Sequence, residues 1–151
     1  MTGFPRTNVG GVSVSKMIIG CNWITGYSHR GPASDHMIAE ANKNIEHATG
    51  IFTAFLKHDI DTVLGLFGED KGLEKAVKLA EDRTGKKMII MDEPILNMEN
   101  TPMARHEAEL AIKRCAERGA TFCLPLHSCT EQLHAAGLQR DAVQTGDLFM
   151  R

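Results

Sequence analysis

Polar and titratable side chains follow predicted strands at three places in the chain. Asp92 and Glu93 come directly after the apolar run Met88–Met91, and His127 follows Leu124-Pro125-Leu126. Two adjacent carboxylates can hold a divalent cation, and one can act as a general base if its neighbour raises its pKa. A neutral imidazole can bind metal or polarise a carbonyl group. We therefore predict Asp92, Glu93 and His127 as catalytic residues, with a solvated loop as the alternative.

The third place lies just after the first apolar strand. Asn22 could orient a polar ligand through its amide, and Trp23 could form a flat apolar wall. His29 lies in the loop that follows, where it could act as a lid residue. We predict that these three residues bind substrate; the alternatives are a Trp23 packed under its own loop and a solvated His29. Cys21 has no neighbouring base in the sequence, so we interpret it as a packing residue.

The sequence offers little that would hold a cofactor. The segment Gly20–Gly26 is too bulky for a phosphate-binding loop, so we do not expect this chain alone to bind NAD(P) tightly. The cysteines form no Cys-x-x-Cys pair, which disfavours a disulfide framework and a zinc site. Whether another metal binds is left open.

Composition excludes several classes of partner. The chain has 151 residues, a net charge of -2 and no block of basic residues, so we expect one domain and no nucleic-acid binding. Its apolar stretches are far shorter than the roughly 20 residues that span a bilayer. The first residues contain no apolar signal-peptide core. We expect a cytoplasmic protein that binds a small molecule and no membrane.

Strand and helix patterns alternate along the chain, which is typical of an α/β protein with a parallel sheet. Residues 1–16 predict a β-hairpin, and residues 17–151 predict four strand–helix units. The strands begin near positions 17, 60, 87 and 120. This spacing matches the roughly 30 residues per unit of a TIM barrel. We predict a single partial domain, the N-terminal half of a (β/α)8 barrel with strand order 1-2-3-4; the alternative is a small doubly wound, flavodoxin-like sheet.

Helix signals fill the intervals between these strands. In chain order they predict a long loop at Asn22–Ser34, one long helix with an apolar stripe from Ile38 to a C-terminus near Lys57, a helix with its stripe at Leu73–Ala80, a helix that starts at Thr101-Pro102 and stops at Gly119, and a short helix at Thr130–Leu133. The tail from Gly137 to Arg151 is predicted to contain no strand.

Short motifs between Val9 and Ser128 resemble the aldo-keto reductases. Gly10–Gly20 is similar to the hairpin and first strand that open those barrels. Ile60-Asp61-Thr62 with Phe67-Gly68 resembles the Asp-Thr-Ala strand end and Tyr-Gly loop of that family. Leu126-His127-Ser128 resembles the strand end that carries its His. The chain also looks similar to uncharacterised barrel proteins with the same Asn-Trp…Ser-His opening.

The resemblance implies a TIM barrel and an oxidoreductase-like origin. The Tyr of the family would fall at Leu66 or Phe67, and its Lys meets Met91-Asp92-Glu93. The family's nucleotide phosphate site lies in late strands that this chain does not reach.

Three hypotheses of function follow. The first is a truncated or half-barrel enzyme that acts on a small polar or carbonyl-containing molecule, together with a missing C-terminal half. The second is a metal-dependent hydrolase or isomerase on the same scaffold. The third is a non-catalytic half-barrel that forms a homodimer through its open sheet edges.

Overall fold

Residues 3–137 are described in the computed structural model of the chain, and they form an α/β protein. An antiparallel hairpin precedes a parallel sheet whose strand order is β3-β4-β5-β6. This confirms the α/β class and the sequential order of four parallel strands; the sheet of the described residues does not close into a barrel. A flavodoxin-like sheet would place its first strand between two others, whereas β3 lies at one end.

The bounds of the elements are as follows. The hairpin consists of β1 (Arg6–Val9) and β2 (Val12–Ser15), and the sheet of β3 (Ile18–Gly20), β4 (Thr62–Gly65), β5 (Ile89–Asp92) and β6 (Phe122–Cys123). The helices are α1 (Asn22–Thr25), α2 (Pro32–Asn42), α3 (Ile45–Lys57), α4 (Lys71–Thr84), α5 (Pro102–Glu117) and α6 (His127–Ala135). None of these helices is long and apolar enough to cross a membrane.

The described residues divide into two compact units. The first unit comprises residues 3–65 and Glu69–Ile90, and the second comprises Leu66–Gly68 and 91–137. In the first unit, α3 packs on α4. The predicted apolar stripe of α4 is buried at Leu73, Ala76, Val77 and Ala80.

The hairpin is joined to the amino-terminal end of β4. The Ser15 hydroxyl accepts hydrogen bonds from the backbone N–H groups of Asp61 and Thr62 at 3.3 and 3.2 Å. Arg6 forms an ion pair with Asp61 at 2.9 Å. Asp61 therefore lies just before β4. Barrel enzymes carry their active sites at the opposite, carboxyl-terminal ends of the strands. The position of Asp61 thus differs from that of the reductase strand-end Asp that its motif resembles.

The prediction of one long helix over Ile38–Lys57 is wrong. The helix breaks between α2 and α3, where the side chain of Asn44 caps α3 by accepting a hydrogen bond from Glu46 N at 3.0 Å. An Asn at this position satisfies a backbone donor that a continuous helix would have bonded internally. The predicted loop Asn22–Ser34 also contains a one-turn helix, α1, and the start of α2.

The second unit contains one helix as predicted and one that begins early. Thr101 caps α5 by accepting from Ala104 N at 3.1 Å, which confirms the Thr-Pro start. His127 does not follow its strand as a loop residue; it is the first residue of α6, three residues before the predicted helix start. The tail predicted to contain no strand lies outside the described residues beyond Gly137.

Alternation along the paired strands of the first unit gives the sheet two different faces. Ile19 pairs with Val63 and both are buried, whereas Ile18 on the other face is 45% exposed. On the buried face, a Cβ added at Gly65 would lie 2.7 Å from Cys21 Sγ and 3.2 Å from Leu73 of α4. Helices therefore cover the face that carries Ile19.

We predict that Ser15→Ala lowers the free energy of unfolding by about 2 kcal/mol, because it leaves buried backbone donors unpaired. Thr7→Ala is the matched control, since Thr7 lies exposed in the same hairpin. Urea denaturation of both variants measures the difference. Equal midpoints for the two would contradict the proposed connection between hairpin and strand.

Candidate functional site

The segments that follow β5 and β6 continue side by side in the second unit. Asp92 pairs with Cys123 in the ladder. Beyond it, Leu124 N donates to Asp92 O at 2.9 Å and Leu126 N donates to Pro94 O at 3.1 Å. Because of this pairing, the start of α6, which is His127, lies at the same end of the sheet as Glu93.

Glu93 is half-buried and lies within electrostatic range of His127, which is exposed. Burial raises the pKa of the Glu93 carboxyl, the charge on His127 opposes this rise, and the charge on Asp92 adds to it. Two exposed apolar side chains, Ile95 and Leu124, lie on the same segments. A half-buried carboxyl group with a raised pKa, beside an accessible imidazole, is a pair of groups that can donate and accept protons.

Asp92, the last residue of β5, lies in a different environment from Glu93, which follows the strand. Its side chain is 0% exposed, and its Oδ2 accepts from Arg118 Nε at 3.0 Å and Nη2 at 2.6 Å. Its Oδ1 is buried with no hydrogen-bond partner. Asp92 and Glu93 therefore do not converge on one cation. A Cβ added at Gly68 would lie 3.0 Å from Arg118 Nη2, so glycine leaves room for the guanidinium.

Two thiols surround this ion pair. Arg118 Nη2 lies 3.4 Å from Cys115 Sγ, and Cys123 lies level with Asp92 in the ladder. Burial, with the Asp92 charge added, raises the pKa of Cys115 to about 12. Burial also raises the pKa of Cys123. Both groups are therefore kept as thiols, which fits packing better than nucleophilic chemistry.

The predicted substrate-binding residues of the first unit lie on α1 and the loop after it. Asn22 Nδ2 and His29 Nε2 are 2.9 Å apart, so the structure brings these two side chains together. Trp23 is 54% exposed, so it is not packed under its own loop. Cys21 is buried, which confirms its predicted packing role.

The sequence analysis missed the contact that shapes this loop. Asp35 accepts hydrogen bonds from the backbone N–H and the hydroxyl of Ser28 at 2.7 and 2.6 Å. The hydrogen bond from the Ser28 hydroxyl is the main cause of the lowered pKa of Asp35. The Ser28 hydroxyl also accepts from Arg30 N at 3.1 Å, and between them His29 adopts a φ of 57°. The only signal in the sequence is an acid in the first turn of a helix that follows Pro32.

The predicted site residues fall into two groups, one in each unit. Asn22, Trp23 and His29 belong to the first unit, and Asp92, Glu93 and His127 belong to the second. The sequence predicts that Asn22 and Trp23 face the same pocket as Asp92, Glu93 and His127, and this stays a prediction. A separate hollow of about 100 Å³ in the first unit is lined by the amino-terminal ends of α3 and α4 and by none of these residues.

Within residues 3–137, no three His, Cys, Asp or Glu side chains are grouped so that they could hold a metal ion. Comparison with protein-family models, with curated proteins and with solved structures gives no match to this chain.

We predict that Arg118→Ala lowers the free energy of unfolding by about 3 kcal/mol, because it leaves the buried Asp92 carboxylate without its cation. Arg114→Ala on the exposed side of α5 is the matched control. Urea denaturation measures both. A loss no larger than that of the control would show that the ion pair does not stabilise the fold.

A second prediction concerns the charge on His127. We expect His127→Ala to raise the pKa of Glu93 further, because the variant removes a neighbouring charge that opposes its rise. Carbon-13 NMR of the Glu93 carboxyl reports this pKa. His134→Ala at the other end of α6 should leave it unchanged; an unchanged value in His127→Ala as well would mean that the two groups do not interact.

Proposed function

We propose that this chain forms half of a (β/α)8-type barrel that binds a small polar or carbonyl-containing molecule at its carboxyl-terminal strand ends. Glu93 and His127 transfer a proton to and from that molecule. The observation that carries the proposal is the half-buried Glu93 next to the exposed His127, with exposed Ile95 and Leu124 on the same segments. An apolar surface with a few convergent polar groups is typical of small-molecule sites.

The strand order supports the half-barrel. Connections between parallel strands are right-handed in nearly all proteins. If each strand of a parallel sheet lies beside the strand before it in the chain, the direction of the strand order never reverses. Right-handed connections then put all the helices on one face of the sheet. A doubly wound sheet needs a reversal to cover both faces, and the order β3-β4-β5-β6 contains none. The hairpin bound at the start of β4 fits the barrel floor that the aldo-keto reductase resemblance implies.

The residues at the strand ends favour proton transfer over hydride transfer. The reductase-like reaction would need the Tyr and Lys of that family, and Leu66, Phe67 and Met91 cannot replace them. A carboxyl group such as that of Glu93 can donate a proton to a carbonyl or hydroxyl oxygen, and an imidazole such as that of His127 can accept a proton from carbon or oxygen. Isomerisation of a hydroxy-carbonyl compound needs both steps. A metal-dependent hydrolase is less favoured, because the Asp92 carboxylate is buried and bound to Arg118.

The proposal predicts exchange of carbon-bound protons next to a carbonyl group. Proton NMR in D2O would follow hydroxyacetone and pyruvate as probes. We expect the protein to catalyse deuterium incorporation into at least one probe, and Glu93→Gln to reduce the rate at least 100-fold, within the usual contribution of a general acid–base group.

Glu99→Gln and His134→Gln, both exposed in the second unit, are the control variants and should retain the rate. Folding of Glu93→Gln is not at risk, because burial disfavours the ionised carboxylate that the variant removes. Failure of the protein to exchange either probe, or equal rates in Glu93→Gln, would overturn the proposal.

A further inference from the structure

We propose that a second copy of this chain closes the sheet, so that the site contains Glu93 and His127 of one copy and Asn22 and Trp23 of the other. This inference rests on the half-barrel of the proposed function. It adds the partner and the residues that complete the site.

The first observation is that the outer edge of β3 carries backbone amides that do not face β4. Cys21 N donates to Leu64 O at 3.2 Å, so alternate amides of β3 face β4. The amides of Ile18 and Gly20 point the other way, and β3 is at the end of the strand order. Natural edge strands are usually protected by charges, proline or a covering segment. Here Met17 and Ile18 are exposed apolar residues, and no charged residue or proline lies within β3.

The second observation is the number and direction of the strands. Four parallel strands are half of an eight-stranded barrel. A twofold axis along the barrel would place β6 of each copy beside β3 of the other, in parallel, at two identical junctions. Closed twofold assembly of this kind is the commonest form of homo-oligomer. Leu124, exposed directly after β6, supplies an apolar side chain at the same junction.

The junction brings the two predicted groups of site residues together. Within one chain, two strands separate β3 from β6. At the junction they are neighbours, about 4.8 Å apart, with their carboxyl ends at the same edge. Asn22 and the exposed Trp23 follow β3, and His127 follows β6. The amide of Asn22 and the indole of Trp23 would thus join the acid–base pair of the other copy.

Light scattering tests the second copy. We expect a mass about twice the 16.6 kDa of one chain. Ile18→Lys should give a folded monomer, because it puts a charge on the junction, and circular dichroism would verify folding. Met103→Lys on α5, where the Met is 73% exposed, should remain a dimer. A monomeric protein, or a dimer that Ile18→Lys leaves intact, would overturn the inference.

Fluorescence tests the shared site without any ligand. Trp23 is the only Trp in the chain, and a protonated imidazole in contact with indole quenches its emission. At pH 5, below the usual His pKa of about 6.5, His127→Ala should fluoresce more strongly than the unmodified protein. Refolding it with an excess of Trp23→Ala copies should restore the quenching, because those copies supply His127 but no indole.

Quenching that the mixture does not restore would overturn the shared site, since His29 contributes equally to both samples. The two proposals fail separately. Restored quenching without proton exchange in either probe would overturn the chemistry and keep the shared site. Proton exchange by a monomeric protein would overturn the shared site and keep the chemistry.

Discussion

The structure depends on a sheet whose strands follow one another without reversal. Each strand of the order β3-β4-β5-β6 pairs with the next one along the chain. Right-handed connections then place successive helices on one face. In the first unit, the buried Ile19 and Val63 and the closeness of Leu73 to Gly65 show which face that is. The exposed Ile18 shows the consequence on the other face, where the helices of the first unit leave its side chain uncovered.

The two adjacent carboxyl groups at the end of β5 lie in different environments. Asp92 turns toward Arg118 and the thiol of Cys115, where its charge is neutralised in a fully buried position. Glu93, the residue after β5, keeps part of its surface exposed, and burial raises the pKa of its carboxyl group. A buried ion pair thereby ties the carboxyl end of β5 to the end of α5, while the next residue, Glu93, stays partly exposed. This division explains why a strand end carries two acids without forming a cation site.

The parts of this fold that could be predicted from sequence are those with local signals. Thr101-Pro102 specifies its helix start through the Thr side chain and the Pro ring, which both act within one turn. The apolar residues of α4 have a spacing that places them on a single face of a helix. The break between α2 and α3 could not be predicted from periodicity, because apolar residues keep helical spacing across it. Only Asn44 marks the break, and an Asn is also tolerated inside helices.

The candidate site was predictable as a set of positions but not as a set of contacts. Strand ends identified Glu93 and His127, and the structure places them within range of each other. The partner of Asp92 lies 26 residues later at the end of α5, a separation that no local pattern encodes. The same holds for Ser28 and Asp35, whose hydrogen bonds hold the loop beside Asn22 and His29.

The central claim is that a second half of a barrel covers the β3 edge of the sheet. Amide hydrogen exchange along β3 tests this claim most directly. The amides of Ile19 and Cys21 face β4 and should be protected in any arrangement, which makes them the internal reference. If the edge is paired as the account requires, the amides of Ile18 and Gly20 will exchange as slowly as these two. Fast exchange of Ile18 and Gly20 beside a protected Cys21 would show an open edge and contradict the account.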